Sequence, residues 1–154
     1  MNLQNNLHSI LEKVESLKNI KMLDKNNGEF TYIEGNYYFS DLTTDSLNIY
    51  EIKYLFTFEN FDFFSNGKPN EVSVYKATNS FNSVCLGIKA SLNSLDVERK
   101  ELTVQFTYSM VFDASKGIPN FSNELETSMG LLRIAPKKLS NSFKDKGIEH
   151  NYVN

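Results

Sequence analysis

Two imidazoles and one thiol are the side chains best suited to nucleophilic or metal chemistry, and their spacing limits what they can do. His8 lies in the first amphipathic segment and His150 in the C-terminal tail, neither one helical turn from another His or Cys. A zinc site with nitrogen or sulfur ligands would have to be assembled from distant segments, and none is expected. Cys85 is the only cysteine, so no intramolecular disulfide forms. A Cys–His pair would need an imidazole beside Cys85 and a third group to orient it. Val84, Leu86 and Ile88 instead read as a strand that packs or half-packs this thiol. Serines are plentiful, but no Gly-x-Ser-x-Gly elbow occurs. No catalytic residue is assigned, and the chain reads as a non-enzyme.

Phosphate cradles need closely spaced glycines, because backbone N–H groups must approach the oxygens. The seven glycines stand apart, at 28, 35, 67, 87, 117, 130 and 147. Asp41, Asp45 and Glu51, or Glu59 and Asp62, lack the regular alternation of an oxygen cage for a hard cation and read as solvated loop carboxylates. No cofactor and no metal are expected. Arg133, Lys137, Lys138, Lys144 and Lys146 suit the C-terminal end and wet face of a helix, and aromatic residues do not interleave with them as a stacking platform requires. With a net charge of −3 there is no global positive field for nucleic acid or an anionic membrane.

Phe56-Thr57-Phe58-Glu59-Asn60-Phe61-Asp62-Phe63-Phe64 holds more rings than one strand face accommodates. Phe61, Phe63 and Phe64 therefore fall at a strand end or in a loop. With Tyr37 and Tyr38 they form the candidate partner-binding set, since large rigid rings carry much of interface energy. A satellite core beneath the loop before Pro69 accounts for the same residues, and both readings stay open.

These side chains must be carried by a small framework. A chain of 154 residues with 40% hydrophobic and 23% charged side chains has the composition of one globular domain, 1–154. It needs no disulfide or structural metal to bury a core. Leu3, Leu7, Ile10, Leu11, Val14 and Leu17 recur at helical spacing, predicting a helix that ends before Asn26-Asn27-Gly28. Glu29 to Ile33 and Tyr37 to Asp41 read as a hairpin turned at Gly35-Asn36. Tyr50, Ile52, Tyr54, Phe56 and Phe58 alternate along a longer strand. A helix from about Pro69 to Asn82 places Val74, Ala77, Thr78 and Phe81 on one side.

Val84 to Leu92 and Leu102 to Phe112 alternate as an antiparallel pair around a short polar turn. Past the break at Asp113 to Pro119, Asn120 or Ser122 can cap a last helix with Phe121, Leu125, Met129, Leu132, Leu139 and Phe143 inside. Pro136 is expected to kink it or divide it in two. The tail from Gly147 has few anchors and is ordered only if it packs on a neighbour. The fold class is α+β: a mostly antiparallel sheet in the order α-β-β-β-α-β-β-α, with helices covering one face.

That element order resembles the type III secretion chaperone-like fold and the small bacterial domains described as sensory-transduction-regulator-like. The local likeness lies in Tyr75-Lys76-Ala77-Thr78-Asn79-Ser80-Phe81-Asn82-Ser83-Val84 running into Cys85-Leu86-Gly87-Ile88-Lys89-Ala90-Ser91-Leu92. The resemblance implies a cytoplasmic, noncatalytic homodimer that holds a partly unfolded protein segment along apolar surface of the sheet and first helix. No family residue matches by motif, so none is carried over. The absence of a signal-like or spanning apolar run agrees with a cytoplasmic location.

The leading expectation is thus a protein-binding module, chaperone-like or adaptor-like, with another protein as partner and no contact with nucleic acid or membrane. Two alternatives stand beside it. One is a small-ligand-binding or enzymatic domain with an enclosed polar cavity using Tyr32, Tyr54, Tyr108 or buried Glu and Asp as hydrogen-bonding groups. The other is an immunity-like protein or a subunit of a larger assembly.

Overall fold

A computed structural model of the chain describes residues 7–65, 68–85, 87–113 and 121–152. Helix α1 (Leu7–Glu12) buries Leu7, Ile10 and Leu11, the expected stripe, and then stops. Val14 and Leu17 are still buried, but in turns closed by Val14 N–H to Leu11 O and Leu17 N–H to Val14 O, each 3.1 Å. Lys18–Met22 is not the end of that helix but strand β1, antiparallel to β2 (Asn27–Tyr32), with Lys21 opposite Glu29 and Met22 opposite Gly28. The connection explains the difference. One Asp24 carboxylate oxygen accepts the N–H groups of Asn26 and Asn27 at 2.7 and 2.9 Å, while the other accepts from Asn27 Nδ2 at 2.8 Å. Such an Asx turn reverses the chain and lets a hairpin ladder compete with the helix. The same bonds, that of the Asn27 side chain foremost, hold the Asp24 carboxyl below its ordinary pKa.

Strand β3 (Gly35–Asp41) pairs with β2 so that Phe30 faces Tyr37 and Tyr32 faces Gly35. The hairpin is where the sequence predicts it, but its turn residues are Ile33 and Glu34, at φ 42 and 61, rather than Gly35-Asn36. Paired positive φ values match the twist of a two-residue hairpin. Gly35 has a different task. A Cβ there would stand 3.0 Å from Cε2 of Tyr37, so the glycine makes room for that ring.

Strand β4 (Leu47–Phe58) follows, with Tyr54 opposite Tyr37, Ile52 opposite Phe39 and Tyr50 opposite Asp41. Phe30, Tyr37, Phe39, Tyr50 and Ile52 are buried, and Tyr37 stacks between Phe30 and Tyr54 at 5.8 and 5.0 Å. Phe121, at the start of helix α3 (Phe121–Asp145), meets Phe39 and Tyr50 edge-on.

Beyond β4, a two-residue hairpin of β5 (Phe64–Ser65) and β6 (Lys68–Pro69) sets Phe64 opposite Pro69. Helix α2 (Glu71–Val84) buries Val74, Ala77, Thr78 and Phe81, as its spacing predicts. Pro69 lies in β6 rather than in the first helical turn. Asn70, just before the helix, uses its side chain to donate to Asp62 O at 2.8 Å instead of capping. Val84 and Cys85 close this helix, with Cys85 N–H bonded to Phe81 O at 2.9 Å, and are not the start of the next strand. Half-buried Cys85 is therefore a helix-end residue, while Leu86 lies outside the described residues.

Strands β7 (Ile88–Asp96) and β8 (Glu101–Asp113) come next. Phe106 on β8 meets Phe81 edge-on at 5.7 Å. Helix α3 is one helix of 25 residues, not two pieces, although it contains Pro136. A proline inside a helix costs about 3 kcal/mol. Full burial of Leu132, Leu139 and Phe143 on either side opposes that cost. The break at 114–120, with the expected Asn120 cap, lies outside the described residues; Ser122 is already helical.

The main sheet has the order β1-β2-β3-β4-β8-β7, and the chain is α+β with an antiparallel sheet and three helices. The expected order of elements holds, with β1 and the short β5–β6 hairpin as added strands. Contacts divide the chain into two compact units, Met1–Tyr54 with Tyr108–Gly130 and Leu55–Thr107 with Leu131–Asn154. In the first, α1 packs against β1 and β2; in the second, α2 packs against β7. Each leaves polar pairs on the wetter strand positions, Lys53 with Glu51 at 3.8 Å in one and Thr57 with Thr103 at 2.8 Å in the other.

Candidate partner-binding site

The structure sorts the five aromatic candidates residue by residue. Tyr37 and Phe61 are fully buried and present no ring to a partner, a correction to their place in the set. Tyr38 is half-buried, opposite Lys53. Phe63 is half-buried and lies 4.9 Å from Phe61, whereas Phe64 is 48% exposed. The satellite core and the surface patch therefore each claim part of one segment. Helix α1 offers no apolar stripe, because Leu7, Ile10 and Leu11 are all buried.

The satellite core is held by the C-terminal tail. Helix α3 ends with Gly147 N–H bonded to Lys144 O at 2.9 Å and Ile148 N–H to Phe143 O at 3.0 Å. This is a Schellman ending, and Gly147 supplies its left-handed residue at φ 73. The chain then runs back beside the loop after β4. Asp62 N–H donates to Glu149 O and Asn151 N–H to Glu59 O, both at 2.8 Å. His150 is set among Phe58, Phe61 and Phe143 at 5.6, 5.8 and 5.5 Å, and Tyr152 stacks on Phe56 at 5.4 Å. The tail is thus packed, as its expected condition for order required.

The hydrogen bonds of His150 decide its tautomer. Nδ1 lies 3.0 Å from Ile148 O and must donate to it, which leaves Nε2 to accept from the Ser140 hydroxyl at 2.6 Å. Burial pushes the imidazole pKa down; the bond to Ile148 opposes this, and the Lys144 charge adds to it. A serine hydroxyl on an oriented imidazole also has the form of a nucleophile–base pair. Ser140, however, is only 2% exposed, and its bond serves to tie the tail to α3. No sequence motif marks this pair; the alternation of Ile148, His150 and Tyr152 is the signal that could have located it.

Beside the tail a cleft of about 540 Å³ is lined by Asn60, Lys144 and residues 147–151. It offers an ammonium, a carboxylate and two carboxamides, while both ring nitrogens of His150 are already bonded. Tyr32 and Tyr54, weighed as cavity residues, are ring neighbours of Tyr37. Nearer α2, three large apolar side chains are open: Phe64, Val72 at 64% and Tyr75 at 51%. Val72 and Tyr75 are three apart in the first turns of α2 and so are surface neighbours. His8 stands 3.4 Å from Glu12. Among the described residues no three His, Cys, Asp or Glu side chains form a metal-ligating group, and no helix is long and apolar enough to cross a membrane.

Fold and site together define a small α+β protein built on an antiparallel sheet. No protein-family model and no curated protein matches the chain. It is similar to the crystal structure of a protein from Methanothermobacter thermautotrophicus, with a TM-score of 0.54, 13% identity and coverage of 90% of this chain and 94% of that one. It also overlaps YbjN, a proposed transcription regulator from E. coli, with a TM-score of 0.42, 10% identity and coverage of 95% and 93%. The first likeness shows a shared fold, and at that identity the fold alone.

Proposed function

We propose that this chain is a noncatalytic protein-binding module, chaperone-like or adaptor-like, that works as a cytoplasmic homodimer. The observation that carries the reading is the exposure of Phe64, Val72 and Tyr75 around the start of α2. Covering such side chains contributes about 25 cal/mol per Å² of apolar area before the entropic costs of association. Tyr38 and Phe63, each half-buried, lend only part of a ring.

The test is co-purification from the native host at moderate salt, with light scattering of the eluted species, for the natural chain and for Phe64→Ser/Tyr75→Ser. A partner or dimer held by the natural chain and lost by the folded variant supports the reading. Equal association of both sinks it. One stoichiometric folded partner favours the immunity-like or assembly reading.

The cleft beside Lys144 and His150 favours a second reading, a site for a small polar ligand. A lone monomer from the native host that gains thermal stability with a small anion would support that alternative.

A further inference from the structure

The outer face of α3 between Leu131 and Lys138 carries charges that the helix itself does not explain. Leu132, Ala135 and Leu139 are buried, while Leu131, Arg133, Ile134, Lys137 and Lys138 are exposed, Ile134 by 49%. Arg133 and Lys137 are one turn apart, as are Ile134 and Lys138, so two aliphatic side chains stand among three cations on one surface. From Leu131 to Lys144 the sequence has no Asp or Glu. Among the described residues the ion pairs are those of His8, Lys21, Lys53 and Arg99, and none of these three cations meets a carboxylate.

A basic end to a helix is ordinary, since the helix dipole attracts cations, but that attraction is confined to the last turn. There Lys144 suffices. Arg133, Lys137 and Lys138 stand about two turns or more before the end of α3 at Asp145. The like charges of Arg133 and Lys137 also oppose the helix, at a place where Pro136 already removes one of its hydrogen bonds. Local conflicts of this kind concentrate at functional sites.

Acidic protein, nucleic acid and an anionic bilayer would each neutralise these cations, and the apolar pair separates them. A phosphate backbone offers nothing to cover Leu131 and Ile134, and the face has no aromatic ring on which single-stranded bases stack. An interfacial helix lays a broad apolar face into the bilayer, whereas the apolar stripe of α3 is already buried. The chain as a whole carries a charge of −3, so a polyanion larger than the patch meets repulsion around it. A short helix bearing carboxylates around a few aliphatic residues complements both features.

We infer that this face of α3 docks an acidic amphipathic helix of a partner protein, whose aliphatic side chains cover Leu131 and Ile134 and whose carboxylates pair with Arg133, Lys137 and Lys138. The exposed charges steer the encounter and weaken with salt, while covering the apolar pair holds the complex together. The surface uses none of Phe64, Val72 and Tyr75, and the inference stands without them.

The probe is a fluorescent synthetic peptide with Glu and Leu at helical spacing, titrated against the full chain at low salt and followed by anisotropy. It is expected to bind. The full-length variants Lys137→Gln/Lys138→Gln and Leu131→Ser/Ile134→Ser should each bind it about tenfold or more weaker, one through lost charge and the other through lost apolar cover. A peptide with Gln in place of Glu should not bind. No binding to the natural chain, or unchanged binding to either folded variant, overturns the inference. So does tighter binding of a DNA duplex, or of vesicles of phosphatidylserine and phosphatidylcholine in equal parts, than of the peptide.

Amide shifts of the natural chain on addition of the peptide give a reading that needs no variant. Changes centred on Leu131–Lys138 support the inference, and changes centred elsewhere overturn it.

Discussion

The side chain of Asn82 pairs with both backbone groups of Ala90: Oδ1 accepts the Ala90 N–H at 2.7 Å, and Nδ2 donates to the Ala90 carbonyl at 3.0 Å. Ala90 lies on β7, the last strand of the six-stranded sheet. An open sheet edge is a template for unwanted pairing. Here a carboxamide from the last turns of α2 occupies one such position as a neighbouring strand would. Asn82 belongs to the helix-to-strand segment on which the family resemblance rests, and the bond shows what that residue does in this chain.

Replacing Asn82 by Ala removes two neutral side-chain-to-backbone bonds and should cost about 1–2 kcal/mol. Urea unfolding followed by circular dichroism measures it. A midpoint unchanged at constant slope would mean that water replaces the carboxamide at no cost.

Stability should fall on mild acidification because of His150. Folding depresses its pKa below the ordinary 6.5, so the unfolded chain takes the proton first. The contribution is complete above about pH 6.5 and is lost as the pH drops through the lower folded value. In His150→Gln, which keeps an acceptor for Ser140 yet does not titrate, the difference in melting temperature between pH 7.5 and pH 5.5, on either side of that ordinary value, should shrink. Identical pH profiles for the two proteins would contradict this assignment.

Two glycines on or just beyond the same helix should respond with opposite sign. Gly147→Ala forces a Cβ into the left-handed region at φ 73 and should cost about 1–2 kcal/mol, although the new atom meets nothing within 4 Å. Gly130→Ala, inside α3 with the same open surroundings, should stabilise by about 0.5–1 kcal/mol through its helix propensity. Thermal melts of both variants decide it, and two shifts of the same sign would refute the argument.

Phe61 and Phe64, three residues apart, should behave as core and surface. Phe61→Ala opens a cavity against Phe63, Phe143 and His150 and should cost about 3–5 kcal/mol. Phe64→Ala should stay within about 0.5 kcal/mol in the same chemical denaturation. Similar losses for the two would place Phe64 in the core.

Periodic elements were legible because periodicity is a local property. The alternation of Tyr50, Ile52, Tyr54, Phe56 and Phe58 marks β4, and the spacing of Val74, Ala77, Thr78 and Phe81 marks the buried side of α2. Turn chemistry was less so. Gly35 signals a turn by type, yet it serves the Tyr37 ring while Ile33 and Glu34 turn the chain. Lys18–Met22 follows a helical pattern but is captured by β2, since a hairpin ladder gives its backbone groups partners that a fraying helix end lacks. The candidate site was legible only in part. Outside a strand, parity does not say which of Phe61, Phe63 and Phe64 turns inward.

The sequence by itself determined an acidic α+β chain whose strands and helices each have one apolar side, because side-chain period follows directly from backbone geometry. Only the tertiary structure decided that Asn82 closes the sheet edge at Ala90, that Ser140 meets His150, and that the tail lies beside Glu59–Asp62. Those contacts join residues whose partners lie across a turn or an element boundary, where no repeat spacing signals the pairing. The last two are made where the burial of Phe58, Phe61 and Phe143 sets His150 and the polar groups beside it within bonding distance.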